Sequence, residues 1–201
     1  MLNALFMKKT ILVAVALLCL FGTAAAQRHI EHKWHGFYAV VDGAYMHNLN
    51  RAPGLNGETD TLGGAWMGLS AGFQFRKEAS VGGGVAYVFD PQGAYTQLPV
   101  FVEIRSHLTR NRLTPYFVLQ SGYALPVGAG STTVKITKGG LYFGAEFGGR
   151  FAVERDFAIG LHLGYKLLNS TELTRYEADG TFKRNDSMTL HVLNAGLSLY
   201  F

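Results

Sequence analysis

The residues best suited to chemistry in this 201-residue chain recur at even spacings. Glu103, Arg105 and His107 are two apart, Glu146 and Arg150 are four apart, and so are His162 and Lys166; Asp42, Gln74, Arg76 and Gln120 occur in similar surroundings. On an extended chain such spacings place side chains on one face. Ionisable groups of both signs collected on one face must pair wherever water is scarce, because an unpaired buried charge is costly. The set is expected to fill space as a network of ion pairs. The alternative chemistry is a gated proton or ion path, in which Glu103 or Glu146 exchanges partners among Arg105, Arg150 and Lys166.

A second group, His29, Glu31, His32 and His35, has histidines three apart. On a helical turn these could ligate zinc or copper. On an extended segment they point to different faces, and Arg28 and Lys33 would repel a cation. A solvated lead-in over 27–35, anchored at an interface by Trp34, is the expectation, with no metal and no cofactor.

The elements that position the first group are strands. Alternation predicts eight of them, at 36–47, 64–76, 79–89, 95–108, 114–125, 139–153, 157–169 and 188–201. In the seventh, Phe157, Ile159, Leu161, Leu163, Tyr165 and Leu167 form one phase and Ala158, Gly160, His162, Gly164 and Lys166 the other. The sixth sets Leu141, Phe143, Ala145, Phe147 and Phe151 against Tyr142, Gly144, Glu146, Gly148 and Arg150. A soluble barrel would turn its second phase to water. Here that phase is too rich in glycine for a solvated surface and suits a narrow lumen, where small residues make room for a few large polar ones. Asp42, Gln74, Arg76, Glu103, Arg105, His107, Gln120, Glu146, Arg150, His162 and Lys166 are accordingly placed inside.

Connections alternate long and short, as short periplasmic turns and longer external loops do in such a barrel, which is expected to put both termini on the periplasmic side. The segments 48–63, 90–94, 126–138 and 170–187 are the longer ones, and 77–78, 109–113 and 154–156 the shorter. In the last long connection, Asp179-Gly180 is a hairpin signal, so the two strands flanking it are predicted to continue past the membrane and meet there. Phe37, Phe75, Phe117, Phe151, Phe157 and Phe201 fall on the apolar phase at one end of the strands, and Tyr45, Tyr87, Phe89, Tyr123, Phe143 and Tyr165 at the other. Two aromatic girdles bounding an apolar band are the mark of a barrel that spans a bilayer.

The N-terminal residues agree. Met7-Lys8-Lys9, the apolar run from Ile11 to Phe21 and Ala24-Ala25-Ala26 read as a cleavable signal peptide over 1–26, with Met7 as a second candidate start. The single cysteine, Cys19, falls inside it, which leaves the mature chain no thiol chemistry. Loss of Lys8 and Lys9 lowers the net charge from +4 to +2, too little to suggest a nucleic-acid partner.

The terminal strand ending Tyr200-Phe201, the signal peptide, the loop alternation and the run Leu98-Pro99-Val100-Phe101-Val102-Glu103-Ile104-Arg105 through Thr114-Pro115-Tyr116-Phe117 together resemble the small eight-stranded outer-membrane barrels of the OmpX and OmpA transmembrane-domain type. The resemblance spans 36–201. It implies an all-β, eight-stranded antiparallel up-and-down transmembrane barrel in a Gram-negative outer membrane, monomeric and in contact with lipopolysaccharide. It also implies that Tyr200 and Phe201 carry the signal read by the barrel assembly machinery, and that a surface partner would dock at 48–63 or 170–187. Lipid A enzymes built on barrels of this size need a histidine beside a serine, or an external histidine with an Asp-Ser pair. No His-x-Ser occurs; His107-Leu108-Thr109 is the nearest match, and His47 with Asp186-Ser187 is the other. A non-enzymatic role is therefore expected.

Overall fold

In the computed structural model the described residues are 35–49, 63–76, 78–89, 96–127, 134–170, 172–176, 182–184 and 187–201. The signal peptide, His29, Glu31 and His32 of the lead-in, most of 48–63 and Asp179-Gly180 lie outside them. Among the described residues eleven strands occur: β1 Gly36–Asn48, β2 Gly63–Arg76, β3 Ala79–Phe89, β4 Gln97–His107, β5 Leu113–Pro126, β6 Val134–Lys138, β7 Gly140–Ala152, β8 Ala158–Ser170, β9 Glu172–Tyr176, β10 Phe182–Arg184 and β11 Met188–Tyr200. Eight of them close into an antiparallel barrel in the order β1-β11-β8-β7-β5-β4-β3-β2.

These segments become strands because their apolar residues alternate with a period of two, which an extended chain resolves into two faces. The outward face is apolar along its length, from Phe37 at 83% exposure through Leu69, Val102, Leu141, Leu163 and Leu197 to Phe201. The barrel strands run 11 to 14 residues, enough for a tilted strand to cross the hydrocarbon layer. Glycine on the inner face makes the close packing possible. A Cβ on Gly148 would lie 2.3 Å from the Leu161 carbonyl oxygen and 2.7 Å from Cζ of Tyr116, so this glycine holds open the space that the tyrosine ring fills.

Two expectations need correction. The segments 126–138 and 170–187 are more than loops: β6, from the first, pairs with β9, which pairs with β10, in a separate three-stranded sheet. Strands β8 and β11 do continue past the barrel, as β9 and β10, but they recruit a third strand from the neighbouring connection. The additional strand reads as ordinary alternation, Val134-Lys135-Ile136-Thr137-Lys138, in a stretch too short to stand alone. The other correction is Arg76. A bulge between Gln74 and Arg76 pairs Arg76 with outward-phase Ala79, and its side chain is exposed instead of joining the lumen.

Replacing Gly148 with valine should drive a branched side chain into Tyr116 and the β8 backbone. Overpacking of this kind costs about 1 to 3 kcal/mol. The expected result is a lower urea midpoint for loss of the heat-modifiable band on gels, with the barrel still assembling in the absence of denaturant.

Candidate functional site

Closing eight strands leaves an interior just wide enough for side chains, and the inward residues fill it in two halves. The periplasm-side half holds charge. Glu103 accepts two 3.2 Å hydrogen bonds from Nη2 of Arg105, one on each oxygen. It also accepts from Tyr38 at 3.0 Å, Ser70 at 3.1 Å and Gln120 at 3.3 Å. Further along the axis Lys166 donates to Glu146 at 2.5 Å, and Asn194 donates to the same oxygen at 3.3 Å.

Gln120 joins the two ion pairs. Its amide nitrogen donates to Glu103, while its oxygen accepts from Tyr142 at 2.6 Å and from Lys166 at 3.4 Å. Inside the barrel the buried ionisable groups include three carboxylates, Asp42, Glu103 and Glu146, and three strong bases, Arg105, Arg150 and Lys166. A balanced set in a shell of low dielectric makes every member depend on the others.

The external half is mainly apolar, its buried polar residues including Gln97, which donates to Ser170 at 2.7 Å. Ala44, Met46, Trp66, Ala86, Val88, Phe101, Ala124, Tyr142, Leu168, Leu190 and Val192 pack as one buried cluster. Trp66 stacks on Tyr142 with centroids 5.5 Å apart, and Phe101 lies against both at 6.1 and 5.7 Å. The two halves meet at Trp66. Its indole N–H donates to Asp42 at 2.6 Å, and the Lys166 ammonium stands 3.8 Å from its ring centroid, a cation–π contact in a desolvated setting.

Of the residues placed inside from sequence, Asp42, Gln74, Glu103, Arg105, His107, Gln120, Glu146, Arg150, His162 and Lys166 are buried in the lumen, and only Arg76 is not. His107 accepts from Arg150 at 3.3 Å, and Ser198 Oγ lies 3.1 Å from His162 Nδ1. The aromatic members of the network were missed. Tyr38, Trp66, Tyr116 and Tyr200 occupy the inward phase, and attention to outward girdles hides them. Tyr200 is the clearest case: its hydroxyl accepts from Arg105 at 2.6 Å and its ring carries the Arg150 guanidinium 4.5 Å from the centroid. Strand alternation alone would have revealed it, because Leu199 and Phe201 point outward.

The girdle residues lie on the outward phase as expected. Phe37, Phe73 and Phe75 make successive edge contacts near 5.2 Å, and Phe157 meets Phe201 at 5.5 Å. At the other rim Tyr165 is hydrogen-bonded to His191. His47 is exposed on the outward face, and His107 is enclosed in the lumen at the opposite end of the barrel from the external rim.

Lipid cannot satisfy open backbone groups, so a closed sheet with a continuous apolar exterior, bounded by aromatics, is a membrane-spanning barrel of the outer-membrane class. Solved structures agree on the fold. The chain is similar to the Neisserial surface protein A, NspA, with 14% identity over 82% of this chain and 96% of that one, at a TM-score of 0.55. It is also similar to the outer membrane protein OprG from Pseudomonas aeruginosa, with 13% identity over 86% and 99% of the two chains, at a TM-score of 0.57. No family model and no curated protein matches the sequence.

Replacing Lys166 with methionine leaves Glu146 buried without its cation. Breaking a buried pair from one side costs about 3 to 5 kcal/mol, so the variant should lose its heat-modifiable form at markedly lower urea. Adding Glu146→Gln to Lys166→Met removes the stranded charge and should recover most of the loss, measured in the same titration.

Proposed function

We propose that the protein is a non-enzymatic outer-membrane barrel whose lumen is closed to ions and whose work, in envelope integrity or surface interaction, is done by its external segments. The observation that carries this reading is the filled lumen. A polar network occupies one half of the axis and an aromatic and aliphatic cluster most of the other, with one buried Gln97–Ser170 hydrogen bond toward its rim, so an ion would have to cross a layer around Trp66, Phe101 and Leu168 with few groups to replace its hydration. The folded β6-β9-β10 sheet supports placing the interaction outside, since surface connections built on a rigid scaffold are where recognition is usually found. Lipopolysaccharide around the barrel and the assembly machinery that inserts it are the partners this reading implies, with the barrel acting as a monomer.

Planar-bilayer recordings should give no steady openings for the intact protein. Trp66→Ala combined with Phe101→Ala, which empties the external plug, should produce them. Steady openings in the unaltered protein that Glu146→Ala abolishes would establish a channel and reject the closed lumen. Mass spectra of lipid A from cells with and without the protein should be identical; an added or lost acyl chain would make it an enzyme.

A further inference from the structure

The external sheet keeps the register of the barrel wall below it. Tyr176 lies six residues beyond Ser170 and Phe182 six residues before Met188, and Tyr176 pairs with Phe182 as Ser170 does with Met188. Lys138 opposite Glu172 likewise continues the ladder that sets Tyr142 opposite Leu168. Strands β7, β8 and β11 are thus prolonged beyond the barrel by β6, β9 and β10.

The charge of these strands is of one sign. They carry five basic residues, Lys135, Lys138, Arg175, Lys183 and Arg184, against one acidic residue, Glu172, which stands opposite Lys138. The described residues at the external ends of β1 to β5, at 47–49, 63–64, 87–89, 96–98 and 125–127, include no Lys, Arg, Asp or Glu. Glu177, Asp179 and Asp186 lie outside the described residues. Register sharpens the imbalance. Lys183 is directly opposite Arg175, and in the next row Thr174 has Arg184 on one side and Lys135 on the other. Like charges set directly opposite one another on a sheet are destabilising, and an anion shared between them turns that repulsion into two charge-assisted contacts.

Height selects the anion. Arg175 is ten residues beyond Tyr165 of the external girdle, about 33 Å along the strand and about 25 Å above the girdle at the usual strand tilt. The headgroup layer adds only about 6 Å on each side of the hydrocarbon. The basic rows therefore stand clear of the lipid phosphates, at the level of the saccharide that lipopolysaccharide carries above them. We propose that the β6-β9-β10 sheet is a docking surface for the anionic core saccharide of lipopolysaccharide, its phosphate groups held between Lys183 and Arg175 and beside Arg184 and Lys135. This rests on the reading that the external segments do the protein's work, and it names their partner. A second copy of the chain is disfavoured as the occupant, because it would bring the same sign of charge to the contact.

The test is isothermal titration calorimetry of the full barrel in dodecyl maltoside micelles, with EDTA present, against lipid-free core oligosaccharide released from rough lipopolysaccharide by mild acid. Binding should saturate and should weaken as sodium chloride is raised. Removing the phosphates from the saccharide should weaken it about tenfold, the combined worth of several exposed ion pairs. Lys135→Gln, Lys138→Gln, Arg175→Gln, Lys183→Gln and Arg184→Gln combined should do the same, whereas Arg175→Lys with Lys183→Arg should keep the affinity. Should the combined variant lose its heat-modifiable band, the dephosphorylated saccharide on the unaltered protein carries the test alone. Equal affinity for the dephosphorylated saccharide, or undiminished binding by the assembled Gln variant, overturns the site. Binding that requires calcium in place of EDTA assigns the contact to carboxylates and overturns it as well. Full competition by inorganic phosphate at the saccharide's own phosphate concentration, or tighter binding of a polyglutamate peptide, overturns the saccharide as the partner. In each of these cases a silent lumen and unchanged lipid A leave the closed, non-enzymatic barrel standing.

Discussion

A strand edge facing lipid leaves a row of backbone donors and acceptors with nothing to bond, at several kcal/mol for each group. The ladder between β1 and β11 removes that edge, running from Val40 opposite Tyr200 to Asn48 opposite Val192. It is extended by reciprocal hydrogen bonds between Ala39 and Phe201 at 3.0 and 2.9 Å. Once it forms, the number of strands, the width of the lumen and the assignment of every side chain to lipid or interior follow together. A register slip of one residue would turn Glu146 and Lys166 toward hydrocarbon and Phe147 and Leu167 inward.

The interior shows how a narrow barrel accommodates charge that it cannot hydrate. Glu103 and Arg105 sit on one strand, while Glu146 and Lys166 come from adjacent strands β7 and β8. Gln120 from β5 links them by using both ends of its amide. Trp66 then caps the charged half by giving its N–H to Asp42 and its ring face to Lys166. Above it aromatic and aliphatic packing takes over. This division into a charged half and a mainly apolar half places the ion pairs on one side of Trp66 and the aromatic and aliphatic layer on the other.

Much of this was readable from alternation, and the exceptions have physical causes. Ten of the eleven residues placed inside are buried, as a period of two is unambiguous once one face is apolar. Arg76 is not, because a bulge inserts a residue without leaving any mark in an otherwise regular pattern. Val134–Lys138 was read as part of a loop because its pairing partner, Glu172–Tyr176, lies far along the chain, and a five-residue strand has no stability of its own. Tyr38, Trp66, Tyr116 and Tyr200 were overlooked as lumen residues because aromatic residues at strand ends also serve membrane interfaces; residue type does not distinguish the two uses, and only phase does.

The sequence by itself determined the architecture: eight alternating strands, an apolar band with aromatic borders, and an interior supplied with both signs of charge. These follow from local chemistry, since each strand's two faces are set by its own residues. Which charge meets which, how Gln120 and Trp66 tie the halves together, that a third strand joins the external hairpin, and that Lys183 stands opposite Arg175 in the external sheet were decided only by the tertiary structure. Those relations join residues on different strands. Closure sets their heights and distances through the stagger of the whole ring, which no single segment encodes.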